Sequence, residues 1–280
     1  MYVIRNVLMI GLVLFSAGVK SVEIVDEEVT FDSRGAVLSG TLVLPVIDDI
    51  EAAVVFVHGS GKQMRDLGLA NRLAELGIAT LVYDKRGVGK SGGVYESKQS
   101  VSEQNIVLLA DDAASALRRL AKHPLLDDAK LGLTGISQAG WIVPIAAHKT
   151  DLADFMVLWS GPVCKVSEED IYSKHTRDND NEKVPSYQEA LNARTSRYHW
   201  PDFLGKDSNP SDSLANINIP GLWVYGERDG SIPVDLSIQR LEELISKGKN
   251  YQHVTFADLG HNNIPETIVT VEQWIKQLLN

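Results

Sequence analysis

A chain of 280 residues, 44% of them hydrophobic and 23% charged, has an ordinary globular composition and the length to bury a large core. Its net charge of -10 argues against nucleic acid and anionic lipid surfaces as partners, because both are met by basic patches. Cys164 is the only cysteine, which excludes an internal disulfide and a cysteine-rich metal site.

The first 21 residues read as an export leader. Arg5 gives a positive start, and residues 7–19 are almost wholly apolar. That run has the length of a signal-peptide core and falls short of the ~20 residues that span a bilayer. Val19 and Ser21 are small enough to precede a cleavage point, so the predicted cut follows Ser21 and leaves a domain over residues 22–280 with no membrane span. An uncleaved anchor and a buried first strand are the alternatives.

Strand-like and helix-like segments then alternate. Residues 23–31 and 36–44 alternate apolar and polar positions around Asp32-Ser33-Arg34-Gly35, which marks a hairpin. Ala52–Val57 is a continuous β-branched run, as expected of a strand covered on both faces, and Ile78–Tyr83 reads as a second buried strand. Between them Leu67, Ala70, Leu73 and Leu76 recur at helical spacing before Gly77. Ser102 caps a long predicted helix to about Lys122, with Ile106, Leu109, Ala113 and Leu117 on one face. Residues 130–134, 155–159, 222–225 and 251–256 read as further strands. Pro233 suits the first turn of a helix bearing Val234, Ile238, Leu241 and Ile245, and Ile268, Val271, Ile275 and Leu278 mark a closing helix. Such alternation implies crossover connections and a single doubly wound, mostly parallel sheet, with the hairpin antiparallel at one edge.

Residues 165–213 break the pattern. They are polar and too long for a plain connection, and they contain Tyr172, Tyr187, Tyr198, His199, Trp200 and Phe203. The segment reads as an insertion of residues 164–213 on top of the sheet: a lid over a substrate pocket, or a partly helical surface excursion.

The chemical signal is Gly135-Ile136-Ser137-Gln138-Ala139-Gly140, between a strand and a helix. A nucleophilic serine presented on a sharp strand-to-helix turn needs tiny neighbours two residues to either side. Gly135 meets that need; Ala139 stands where a second glycine is usual, and Gly140 follows it. Pro144 predicts a kink or a shifted start in the helix. The turn places the Gln138 amide at a helix N-terminus, where it can donate to an oxyanion. A second donor is sought in His58-Gly59-Ser60-Gly61, directly after a buried strand, with Ser60 preferred and Gly59 next. Asp229, in Gly226-Glu227-Arg228-Asp229, follows the strand at 222–225 and fits the acid, with Glu227 as competitor. His261 follows the last strand and fits the base; the other histidines lie at helix ends, in the insertion or within a strand. Alone, each piece also reads as an ordinary glycine turn or a structural histidine. Together they stand in the order Ser, Asp, His, each beyond a strand, with an oxyanion turn upstream.

Across about residues 23–280 the chain resembles the α/β-hydrolase superfamily, most of all its bacterial dienelactone-hydrolase-like and serine-aminopeptidase-like members. The stretches that carry the resemblance are VVFVHGSG (54–61), YDKRGVGKSGG (83–93), LTGISQAGWIVP (133–144), WVYGERDGSIPV (223–234) and DLGHNN (258–263). The resemblance implies an eight-stranded, mostly parallel sheet and a triad of Ser137, Asp229 and His261. The charges of Asp84-Lys85-Arg86 are expected to brace their loop rather than bind substrate. The implied reaction is acyl transfer to water with no metal or organic cofactor, on carboxylic esters of small or medium acyl groups. A serine peptidase acting on short peptides is the rival, with Glu168, Glu169 and Asp170 as acids for a peptide amine. A non-catalytic binding protein on the same fold is the third reading.

Overall fold

The computed structural model describes residues 22–195 and 203–279. The leader predicted for residues 1–21, and Tyr198, His199 and Trp200 of the insertion, lie outside them.

A hairpin opens the fold. Strands β1 (Ile24–Ser33) and β2 (Ala36–Pro45) pair antiparallel, and Arg34 and Gly35 turn the chain with φ of 45° and 74°. Strand β3 (Ala52–Val57), helix α1 (Leu67–Glu75), strand β4 (Ile78–Tyr83) and helix α2 (Glu103–Leu120) follow. Ser102 caps α2 by accepting from the Asn105 amide at 3.2 Å. Strand β5 (Lys130–Ile136), helix α3 (Ala139–His148) and strand β6 (Phe155–Trp159) complete the first half of the winding. Then come helices α4 (Val166–Thr176), α5 (Tyr187–Ala193) and α6 (Pro210–Leu214), strand β7 (Gly221–Gly226), helix α7 (Val234–Ser246), strand β8 (Tyr251–Phe256) and helix α8 (Ile264–Leu279).

The eight strands form one sheet in the order β1-β2-β4-β3-β5-β6-β7-β8. The β1–β2 and β2–β4 pairs are antiparallel and the rest are parallel, so the hairpin sits at one edge as the alternation pattern requires. Pleating sends alternate side chains of β3 to opposite faces. Ala53, Val55 and Val57 enter a core with Leu38, Ile106, Leu117 and Trp223 under α2, α3 and α7. Ala52, Val54 and Phe56 enter a second core with Leu73, Trp159 and Trp274 under α1 and α8. Coverage on both faces explains why β3 and β6 are unbroken apolar runs and why every residue of β4 is buried.

Two prolines bear on the helix starts. Helix α3 starts at Ala139 without a shift and runs through Pro144. Pro233 is the residue before α7, with ψ of 91°, rather than its first turn. Among the described residues no helix is long and apolar enough to cross a membrane.

The loop after β4 is braced by two buried ion pairs. Arg65 grips Asp84 with Nε at 3.1 Å and Nη2 at 3.0 Å, and burial notwithstanding, these bonds hold the Asp84 carboxyl down at about 2. Arg86 forks onto Asp112 of α2, a carboxylate with no solvent exposure, and also donates to the Ser33 carbonyl at 2.8 Å. Burial outweighs Arg86 at Asp112 and raises its pKa, the mark of a pair held at a desolvation cost. Removing one partner strands the other charge in the core. Asp112→Ala is therefore expected to cost about 3–5 kcal/mol, read as a lower denaturant midpoint, whereas Arg86→Met with Asp112→Leu should cost much less. An unchanged midpoint in the single variant would contradict this account of the pair.

Candidate active site

The parallel strands β3, β5, β7 and β8 release their loops along one edge of the sheet, the edge where doubly wound folds place ligands. Ser137 follows β5 directly with φ of 57°, a left-handed conformation rare for a side chain larger than glycine's. Such strain persists when the surroundings impose it. Here the Ser137 amide donates to the Trp159 carbonyl at 3.0 Å on one side, and α3 begins two residues later on the other.

The turn is tight enough to dictate its neighbours. A Cβ on Gly135 would stand 2.5 Å from both the Ala139 Cβ and the Val57 carbonyl oxygen. Alanine at 139 is therefore tolerated because residue 135 has no side chain. A Cβ on Gly140 would come within 2.5 Å of the Pro162 ring and nitrogen, so the bare residue here lets α3 lie against the turn after β6.

His261 and Asp229 lie on neighbouring loops at the ends of β8 and β7. The imidazole Nδ1 is 2.9 Å and 3.0 Å from the two oxygens of Asp229, whose side chain has no solvent exposure. Asp229 Oδ1 also accepts from the amides of Ser231 at 2.8 Å and Ile232 at 3.0 Å. The carboxylate is thus fixed by its own turn, and the ring is fixed by the carboxylate. Burial by itself would lower the His261 pKa; the hydrogen bond and charge of Asp229, with Asp180 and Asp178 beyond, outweigh it and raise it above 6.5. With Nδ1 committed, Nε2 is the atom left for chemistry.

His261 and Ser137 line the same cavity of about 650 Å³. Among the described residues no hydrogen bond joins the Ser137 hydroxyl to the ring, and such contacts in substrate-free enzymes commonly tighten only when substrate binds. Gly59 and Ser60 also line the cavity. The amides of Ser60 and Gln138 have no acceptor among the described residues; Ser60 lines the cavity, whereas Gln138, 1% exposed, does not. Apolar walls come from Phe56, Met64, Leu69, Ile136, Ile264 and Pro265.

Glu227 bonds the Thr255 hydroxyl at 3.0 Å on the surface and is not brought to His261. His58 is buried, donates from Nε2 to the Tyr83 carbonyl at 2.5 Å, and packs edge-on to the Tyr83 ring. Burial first, and then the nearby Lys85 charge, push its pKa down to about 4, so it is neutral. Its partners are structural.

Two contributors carry no sequence motif. Asp180, in the insertion, accepts from the Gly230 amide through Oδ1 and from the His261 amide through Oδ2, both at 2.9 Å. One carboxylate therefore ties the loop after β7 to the loop after β8. Ser160, after β6 with φ of 43°, donates its hydroxyl to the His261 carbonyl at 2.8 Å. No local pattern announces either residue. Of the acids noted in the insertion, Glu168 is held by Arg240 through two 2.6 Å bonds and Asp170 pairs with Lys174. Burial, helped by Asp170, Asp178 and Asp229, pushes the Glu169 carboxyl up to about 8. No described residue of 164–213 lines the cavity beside Ser137. Among the described residues no cluster of three or more His, Cys, Asp or Glu side chains could hold a metal ion.

A mostly parallel eight-stranded sheet with this strand–serine–helix turn and a histidine–aspartate pair on the last two strand ends defines an α/β hydrolase. Residues 68–280 match the model of the prolyl oligopeptidase family, and the chain belongs to that family. Among solved structures it is similar to an esterase of Pyrococcus furiosus, at 18% identity and a TM-score of 0.66, over 92% of this chain and 91% of that one. It is similar also to an acylaminoacyl peptidase of Pyrococcus horikoshii, at 19% identity and a TM-score of 0.62, over 91% of this chain and 40% of that one. A Klebsiella pneumoniae protein assigned as a dienelactone hydrolase is 18% identical, with a TM-score of 0.63 over 91% of this chain and 97% of that one. At such identities the likeness establishes the fold. A comparison with curated proteins gives no match in sequence.

Proposed function

We propose that this protein is a serine hydrolase that cleaves carboxylic esters of small or medium acyl groups through an acyl-enzyme intermediate. Ser137 attacks the ester carbonyl, His261 Nε2 takes its proton and returns it to the leaving alcohol, and Asp229 holds the ring's tautomer. The Ser60 and Gln138 amides receive the oxyanion, with Gly59 as the second choice on the same loop. Water then releases the acyl group by the same route.

The observation that carries this reading is the His261–Asp229 pair, with contacts of 2.9 Å and 3.0 Å, on the wall of a cavity it shares with a serine at φ 57°. The apolar cavity walls favour an acyl chain. Glu168 and Asp170, which could have held a peptide amine, are engaged in ion pairs elsewhere. The second reading, a peptidase acting on short peptides, is favoured by the family match.

Rates on p-nitrophenyl esters of rising chain length, set against aminoacyl anilides, decide between the two. The expected result is turnover of esters with an optimum in chain length and little on anilides; anilide cleavage without ester cleavage would replace the first reading by the second. A fluorophosphonate should label Ser137, and folded protein that takes no label would favour a binding protein.

A further inference from the structure

Of the triplet Asp84-Lys85-Arg86, the outer two side chains are consumed by Arg65 and Asp112. Among the described residues Lys85 has no ion pair, although it is only 4% exposed. An ammonium buried without a counterion is costly unless neutral acceptors or a transient charge compensate it. Its two acceptors are the Gly59 carbonyl and the Gln138 side-chain oxygen, each at 2.8 Å. One belongs to the loop after β3 and the other to the turn after β5, and these are the two segments that carry the Ser60 and Gln138 amides.

We propose that Lys85 is a positioning residue for the oxyanion site: its ammonium fixes the peptide that carries the Ser60 N–H and the residue that carries the Gln138 N–H. This rests on the serine-hydrolase reading above. The Gly59 carbonyl and the Ser60 N–H belong to one planar trans peptide, and they point in opposite directions. Holding the oxygen on the Lys85 side sends the N–H away from it, and a flip of that peptide would break the bond to Lys85. A cation on the carbonyl also polarises the amide and makes its N–H a better donor. Gln138 is held from two sides. Its Oε1 accepts from Lys85, and its Nε2 donates to the Ser100 carbonyl at 2.7 Å, in a side chain 1% exposed.

The charge has a second consequence. Burial pushes the Lys85 pKa down to about 8, so the cation is present at neutral pH and lost just above it. The titratable groups around it are His58, which is neutral; Asp84 and Arg86, each in its own ion pair; and Tyr95 and Glu96 across a small crevice. As pH rises through about 8, kcat should fall because the polarising charge disappears.

The test is Lys85→Met, which keeps the side chain's length and removes its donors. Fluorophosphonate labelling of the wild type is read first, and absence of labelling at Ser137 would overturn the catalytic reading together with this one. In labelled wild type and folded variant, kcat on a p-nitrophenyl ester should drop about 10–100-fold with KM within about twofold, since misaligning a donor costs less than the 10²–10³-fold of deleting one. Affinity for an alkylboronic acid, whose adduct places an oxygen at the oxyanion position, should fall in parallel. Unchanged kcat and boronate affinity, or a loss confined to melting temperature, would overturn the proposal.

Discussion

Ser137→Ala should lower kcat by about 10⁵–10⁶-fold and abolish fluorophosphonate labelling, with KM nearly unchanged. The serine's φ of 57° is imposed by the strand and helix on either side, and alanine meets the same backbone constraint with one atom fewer. The turn is then preserved, so the loss measures the nucleophile and not the fold. Because cavity walls such as Met64, Leu69 and Ile264 are untouched, ground-state binding persists. Residual turnover about 10³–10⁴-fold above water should remain from the oxyanion donors and binding alone. A variant retaining a tenth of wild-type kcat would remove Ser137 from the mechanism.

Asp229→Asn should cost about 10⁴-fold in kcat while leaving the loop in place. The asparagine oxygen can take over the Oδ1 bonds from the Ser231 and Ile232 amides. Its NH₂ then faces His261 Nδ1, which must become the acceptor. The ring's proton moves to Nε2, the nitrogen that has to receive the proton of Ser137, and the base is disabled by tautomer rather than by distance. The pH profile adds an independent check. His261 works as a base only when neutral, so wild-type kcat/KM should fall as pH drops through a pKa held above 6.5 by Asp229. Without that charge, burial has the larger say and the acid limb should move to lower pH, with Asp180 and Asp178 opposing it in part. An acid limb at the same pH in both proteins would mean that another group sets it.

How much of this was legible beforehand follows from how local each signal is. Strands β3, β4, β6 and β8 are legible to the residue, and at β3, β4 and β6 a charge or a glycine marks an end: Glu51, Gly77, Asp84 and Asp154. Ser137, Asp229 and His261 could be singled out because a doubly wound sheet delivers every strand end to one edge, so position just after a strand stands in for position in space. Lys85 looked like its two neighbours because all three charges share a loop; only partners at positions 59 and 138 separate it from Asp84 and Arg86. Asp180 offered less still, since its bonds reach 50 and 81 residues ahead. Helix α4 has polar residues on every side and so leaves no periodic trace. The insertion reads as a lid or a surface excursion, and its described part is tied to the loops after β7 and β8.

The far walls of the cavity come from segments at opposite ends of the chain, residues 64–72 ahead of and within α1 and residues 264–265 at the start of α8. The proton relay draws on neither. Exchanging Met64 or Leu69 for a larger or smaller side chain leaves every hydrogen bond of Asp229 and His261 in place. On the proposed function, the wall built by residues 64–72 is therefore separate in sequence from Ser137, Asp229 and His261 and free to change at its own rate.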